Sequence, residues 1–334
     1  SLLDSFHGLL DFDSDLNLTT SIKIDSPSYL YKNNILFKGN LLLNNNGLFG
    51  SGNFESDELI FYSEKIKLES GSISGLVQSV KNGKKLDFTP FFSENLRLNL
   101  FPYKSKFLLK SNELLIQIFS DLELKGDLYF DGENLNGSGL LKSSIYSINS
   151  SHHYFSPSSI MSADASFSFS ESYSNKHYFS SSASTLEHNL LTDTIFIYNT
   201  TSSFSLPLLN YILDFDYAIF DIKSENISFH NHELGEEGMF VAQNYNKNGM
   251  PFYSLSALYS VNHNKLCIDS ALPLLFRKFL LQPKNNFFCV MNDGYFSMFM
   301  NCTLIKNRRL LKDKIYHNID VTVTPSLKLS IIND

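Results

Sequence analysis

The chain has 334 residues, 43% of them hydrophobic and 14% aromatic, with 30 Phe, 17 Tyr and no Trp, and a net charge of −7. That apolar share is enough to fold, so wholesale disorder is excluded, and 16 Gly with 9 Pro exclude a collagen-like or linker-like chain. An acidic chain offers no concentrated positive surface for phosphate, so no nucleic-acid partner is expected.

Period-2 alternation runs along the whole chain. It is seen at Ile22 and Ile24, Ile66 and Leu68, Leu96, Leu98 and Leu100, Phe167 and Phe169, Phe215, Tyr217 and Ile219, and Val321 and Val323. This spacing puts apolar side chains on one face and polar ones on the other, the pattern of half-buried strands. Turn signals separate the runs at Asn45-Asn46-Gly47, Lys81-Asn82-Gly83, Asp131-Gly132, Asn136-Gly137 and Lys247-Asn248-Gly249.

One internal repeat interrupts the pattern. Lys38 to Gly52 reads KGNLLLNNNGLFGSG and Lys125 to Gly139 reads KGDLYFDGENLNGSG. Lys38/Lys125, Gly39/Gly126, Leu41/Leu128, Leu48/Leu135 and the Gly-Ser-Gly endings match without a gap. Each copy predicts a strand, a tight turn and a return strand, with glycines for a bend or bulge. Repeated β units stack because one alone cannot bury its apolar face.

The stretch 143–184 is rich in Ser and aromatics, and predicts an exposed, thinly packed β region. Phe155, Ile160, Phe167, Phe169 and Phe179 within it are costly to leave in water. One short helix is expected, over Leu272 to Leu281 between Pro273 and Pro283. No apolar run approaches the roughly 20 residues that span a bilayer. At the C-terminus two alternating runs, Ile319 to Thr324 and Leu327 to Ile331, predict an exposed, partly apolar edge near Val321, Val323, Leu327 and Leu329. The first residue is Ser and no signal peptide is visible, so the chain reads as a piece of a longer parent.

Candidate chemistry is sparse. Cys267, Cys289 and Cys302 show no CxxC spacing; one disulfide with a free thiol, or three buried thiols, both fit. His230-Asn231-His232-Glu233, followed by Glu236 and Glu237, is the nearest approach to a metal set. Gly235 and Gly238 make it read as a polar turn instead. His152 and His153 are adjacent, so on a strand they face opposite ways; an exposed loop is the expectation. Asp214 and Asp216 would share a strand face, with Asp221 nearby, and read as a solvated face rather than a glycosidase pair. Lys306, Arg308, Arg309, Lys312 and Lys314 form the densest basic cluster, read as a solvated strand edge or turn. The sequons at Asn17, Asn199, Asn226 and Asn301 are what an Asn- and Ser-rich chain yields by chance. No nucleophile elbow, phosphate loop or dinucleotide fingerprint is present. No catalytic, cofactor-binding or metal residue is assigned.

From about Ser205 onward the chain resembles a family of very large envelope proteins of Bacteroidota. Leu206-Pro207-Leu208-Leu209-Asn210-Tyr211 with Asp214-Phe215-Asp216-Tyr217, Ser256-Ala257-Leu258-Tyr259, and Asn301 to Ile305 with Tyr316-His317-Asn318-Ile319 follow that family's order of elements. The Trp usual near Tyr217 and Phe220 is missing. The repeats at 38–52 and 125–139 also resemble the family's. The resemblance implies an envelope location, a β-repeat body and a longer parent; it brings no site.

Together these readings predict an all-β fold: an elongated, stacked β-repeat array, either a β-solenoid or an open, taco-like β-jellyroll, with mostly antiparallel or mixed strands. The expected segments are 1–37, the end of a preceding unit; 38–124, repeat 1; 125–235, repeat 2 with the Ser-rich region; and 236–334, a C-terminal β region. The expected function is a non-enzymatic structural or interaction module of a bacterial envelope or secreted protein, partnered by other envelope proteins or lipid and needing no cofactor. A lipid-transport β-groove is the alternative, and a carbohydrate-active parallel β-helix the third reading.

Overall fold

The structure, a computed structural model, describes residues 11–12, 18–111, 114–171, 176–199, 203–209, 211–231, 243–244, 254–269, 273–276, 279–290, 297–308, 311–323 and 329–333. The chain divides into two compact units, Ser1–Ser158 and Ser159–Asp334. The fold is all-β. Among the described residues there is no α-helix, only four short 3₁₀ turns. Every described strand pairing is antiparallel, as in a meander and unlike a parallel β-helix.

Unit 1 holds β1 (Asp11–Phe12), β2 (Leu18–Leu30), β3 (Ile35–Asn44), β4 (Gly47–Glu55), β5 (Leu59–Leu68), β6 (Ile73–Asn82), β7 (Phe91–Phe101), β8 (Lys106–Lys110), β9 (Ile116–Ile118), β10 (Leu122–Phe130), β11 (Leu135–Lys142) and β12 (Tyr146–Phe155). Each strand pairs with the next along the meander. The exception is β8 and β9, two short strands that lie end to end between β7 and β10.

The sheet is folded across its middle. Phe91 and Leu100 stand at opposite ends of β7, about 30 Å apart in a straight strand. Phe107 is the cross-strand partner of Leu100, yet its ring centroid lies 6.1 Å from that of Phe91. The two rims of the sheet therefore meet. Tyr31, in the β2–β3 turn, donates its hydroxyl to the carbonyls of Glu69 and Ser72 in the β5–β6 turn of the other rim, at 2.8 and 3.0 Å. Asn34 Nδ2 donates across the same seam to the Pro102 carbonyl at 3.0 Å. Between the halves lie Phe37, Phe54, Phe61, Leu98, Leu109, Leu124 and Leu128, all buried.

The fold line follows from the sequence. Gly39 pairs directly with Gly52, and Gly126 with Gly139. All four have positive φ, and a Cβ on Gly126 would come within 1.8 Å of the Ser138 carbonyl oxygen. Only glycine allows so close a backbone crossing. One strand over, β5 and β12 each carry an extra residue opposite these pairs, a bulge that sharpens the bend.

The repeat is real and longer than its sequence match. It extends without a gap over 35–68 and 122–155. Ser56 and Ser143 each accept, on Oγ, the backbone N–H groups two and three residues ahead. The side chains of Asn44 and Asp131 each cap the N–H two residues on. Ser63 and Ser150 are both buried beside the bulge. Their strands alternate in burial with the same break, two consecutive exposed residues at Glu64-Lys65 and at Ser151-His152.

Unit 2 holds β13 (Ser159–Glu171), β14 (Lys176–Asn189), β15 (Thr194–Asn199), β16 (Phe204–Leu206), β17 (Tyr211–Leu213), β18 (Tyr217–Asp221), β19 (Asn226–His230), β20 (Gln243–Asn244), β21 (Ser256–Ser260) and β22 (Lys265–Asp269). It continues with β23 (Leu274–Phe276), β24 (Phe279–Gln282), β25 (Phe288–Val290), β26 (Ser297–Arg308), β27 (Leu311–Val323) and β28 (Leu329–Asn333). This sheet also folds over. Register places Phe220 level with Ile160, through His188 and Ile195. Ile160 lies nine residues from Phe169, about 30 Å along a straight β13. The rings of Phe169 and Phe220 are nevertheless 4.7 Å apart. Phe179, Phe204, Phe215 and Phe229 form the packed centre, with ring spacings of 5.6 to 5.8 Å.

Three expectations need correction. The described residues between Leu272 and Leu281 hold no helix: β23 and β24 pair antiparallel, with Leu274 opposite Leu281 and Phe276 opposite Phe279. Pairing with β26 stabilises the extended form over any local helical preference. The Ser-rich stretch is β as expected, but it is not thinly packed. Ser150, Ser162, Ser181 and Ser184 are buried along with Phe155, Ile160, Phe167, Phe169 and Phe179. Finally, Val321 is fully buried rather than on an exposed edge, because β27 is paired on both sides, by β26 and β28. The side chains of Val323 and Leu329, and Leu327 as a whole, lie outside the described residues.

Candidate functional site

The residues singled out by sequence do not come together. His230 ends β19, half-buried, its ring 5.1 Å from that of Tyr217 and inclined by 22°. Burial lowers its pKa. His232, Glu233, Glu236 and Glu237 lie outside the described residues. His152 and His153 are on β12 rather than in a loop, His152 exposed and His153 fully buried. His153 Nε2 donates to the Gly139 carbonyl at 2.9 Å. Burial pulls its pKa down, partly opposed by that bond. His153 stands where the first repeat has the buried Ile66, so it is a core residue of the fold line.

Asp214 and Asp216 are in the connection from β17 to β18, not on a strand face. They flank Phe215, which is buried against Phe229. Asp221 caps the turn after β18, accepting from the backbone of Lys223 and Ser224 and from the Ser224 hydroxyl. Those bonds, the hydroxyl's foremost, hold its carboxyl below the usual range. A carboxylate engaged in this way is a turn device, and it sits at the far end of β18 from the other two. Among the described residues no three His, Cys, Asp or Glu side chains gather in a group that would hold a metal ion.

The basic cluster spans the β26–β27 hairpin, with Lys306 opposite Lys314 and Arg308 opposite Leu311; Arg309 lies outside the described residues. The Lys306 ammonium rests over the Phe279 ring at 5.5 Å. Cys267 and Cys289 form a disulfide between β22 and β25, and Cys302 is free and buried. Cys302 donates to the Ile319 carbonyl at 3.0 Å, and burial raises its pKa to about 11. A thiol so placed is an inert core group.

One polar cleft opens at the seam of unit 1, bounded by Asn33, Asn34, Glu55, Asp57, Glu58, Lys84 and Ser105. Glu58, a buried carboxylate, is ion-paired with Lys85 at 3.7 Å. Lys85 reaches on to the Gly132 carbonyl of the opposite rim at 3.3 Å and lies over the Phe130 ring at 4.9 Å. These groups fasten the rims. Sequence reading missed the seam, because Tyr31, Asn34 and Lys85 meet partners 38 to 68 residues away. Only the Ser56/Ser143 and Ser63/Ser150 matches at the repeat offset were there to be found.

The arrangement thus offers a filled interior, mostly polar outer faces and capped turns. No helix among the described residues is long and apolar enough to cross a membrane, which says nothing of crossing by β-strands. Compared with protein-family models, curated proteins and solved structures, the chain finds no match.

Proposed function

We propose that this chain is a non-catalytic structural or interaction module of a large bacterial envelope or surface protein. The observation that supports this most is the filling of the interior. In each unit Phe, Leu and Ile from both halves of a folded sheet interlock with almost no exposed surface. In unit 1 the rims are also tied across the mouth by Tyr31, Asn34 and Lys85. An interior filled by these side chains leaves the seam cleft of unit 1 outside it, bounded by groups that fasten the rims. What remains for recognition is outer faces and strand edges. The Cys267–Cys289 disulfide favours an oxidising compartment, periplasmic or extracellular. The resemblance to the Bacteroidota envelope proteins points the same way.

A second reading is a lipid-conducting bridge. Its support is the single creased sheet of unit 1 with a continuous apolar inner face, which opened at the seam would become a trough. Native mass spectrometry after gentle purification from an envelope preparation separates the two. The structural module is expected to arrive free of lipid. Stoichiometric co-purifying lipid would overturn it in favour of the trough.

A further inference from the structure

The strands of unit 2 fall into two groups. β21 and β22 extend the array of β15, β18 and β19 through ladders of five pairs each. β26 separately gathers β24 and β27, and β27 gathers β28. Among the described residues, one pairing joins the groups: β22 with β25. It has three pairs, Leu266 with Val290, Cys267 with Cys289 and Ile268 with Phe288. β25 in turn meets β26 through two pairs, Cys289 with Met298 and Val290 with Ser297. A ladder so short adds little cooperativity of its own, and the disulfide sits on its middle pair.

Alternation fixes which way the sulfurs point. Leu266, Ile268, Phe288 and Val290 face inward and are buried. Cys267 and Cys289 alternate with them and lie on the outer face, half-buried where their neighbours are fully buried. The bond is thus within reach of a solution thiol, whereas Cys302 is enclosed in the core.

We propose that Cys267–Cys289 is a reducible staple: a dithiol reductant cleaves it from the outer face, and the strands from β25 onward then part from β22. A thiolate of the reductant attacks one sulfur, the Cys267–Cys289 S–S bond breaks, and the departing sulfur takes up a proton. The second thiol of the reductant then attacks the mixed disulfide, releasing the other cysteine. Two electrons and two protons pass to Cys267 and Cys289, and the reductant leaves as its disulfide. The inference rests on the pairing of unit 2 and is independent of the envelope reading.

Hydrogen exchange of the whole protein, before and after dithiothreitol under native conditions, tests it, with alkylation in denaturant and mass spectrometry to count thiols. The expected result is one free thiol before reduction and three after. Amides of 288–290 and 297–323 should then exchange at least about tenfold faster, with those of β13 to β19 unchanged. The double variant Cys267→Ser, Cys289→Ser should match the reduced protein without any reductant. A disulfide that resists dithiothreitol until the protein unfolds would overturn the proposal, as would exchange unchanged by cleavage. Equal loss of protection throughout unit 2, in the reduced protein or in the variant, would also overturn it, since the staple would then hold the whole unit and not one junction.

Discussion

Both units fold a single antiparallel sheet back on itself, but they make the crease differently. Unit 1 uses glycine facing glycine, Gly39 with Gly52 and Gly126 with Gly139. Unit 2 has no such glycine pair among its described residues; its crease relies on side-chain-bearing residues in left-handed conformations, Asp164 at φ 46° and Ala183 at φ 51°, amid register shifts between β13 and β14, a device unit 1 adds only at Asn95 in β7, at φ 55°. The glycine crease lets the two backbones approach until no Cβ fits. The bulged crease places an extra residue outside the ladder and leaves a strained residue there. Strict geometry in the first case demanded the same residues twice, and so left a visible repeat. The second tolerates many residue types and left no mark in the sequence.

Gly126→Ala should destabilise unit 1 by about 4 kcal/mol, because its Cβ would meet the Ser138 carbonyl oxygen at 1.8 Å in a backbone that L residues avoid. Hydrogen exchange read separately over 18–155 and 159–323 checks this, and equal loss in both would contradict independent creases.

A pH titration sharpens the contrast. Among the described residues each unit encloses one histidine in its core, His153 and His188. Burial lowers the His188 pKa from 6.5 to about 4, with Asp193 partly opposing. The folded state thus binds its proton later than the unfolded one. The neutral form's advantage is complete above pH 6.5, shrinks as pH falls from 6.5 to about 4 and is constant below that. The full swing is about 3 kcal/mol. Urea midpoints measured across this range should lose that part of their slope for unit 2 in His188→Gln, while the His153 contribution in unit 1 persists.

Smaller effects follow at the strained residue and the caps. Ala183→Gly should stabilise unit 2 by about 1 kcal/mol, the left-handed penalty outweighing the added freedom of the unfolded chain. No gain in thermal midpoint would mean that the φ of 51° at Ala183 carries no strain. Ser56→Ala and Ser143→Ala should each cost about 1 kcal/mol, and nearly the same amount, since each loses the acceptor for two turn N–H groups. Unequal costs in chemical denaturation would show that the repeat shares its shape but not its energetics.

Much of the architecture was legible residue by residue. Leu96, Leu98 and Leu100 alternate in sequence and are buried together; Asn45-Asn46 turns β3 into β4; the Gly-Ser-Gly units are equivalent strand pairs. The helix over Leu272 to Leu281 failed because a short apolar run carries no period of its own, and pairing with β26 decided its form. The candidate site was less legible. His153 looked like a loop residue, and only its register opposite Gly137 placed it in the core. Asp214 and Asp216 alternate as on a strand, yet they belong to the bend that carries the chain from β17 to β18.

By itself the sequence determined strand, turn and face, because side-chain direction alternates with each residue and glycine alone permits the close crossings. It determined the repeat for the same reason. The tertiary structure alone decided that each sheet closes on itself, that Tyr31 meets Glu69 and Ser72, and that Cys267 pairs with Cys289 and not with Cys302. These contacts join residues far apart in the chain, so they depend on where a crease brings two rims or two strands into reach, and no local pattern encodes that distance.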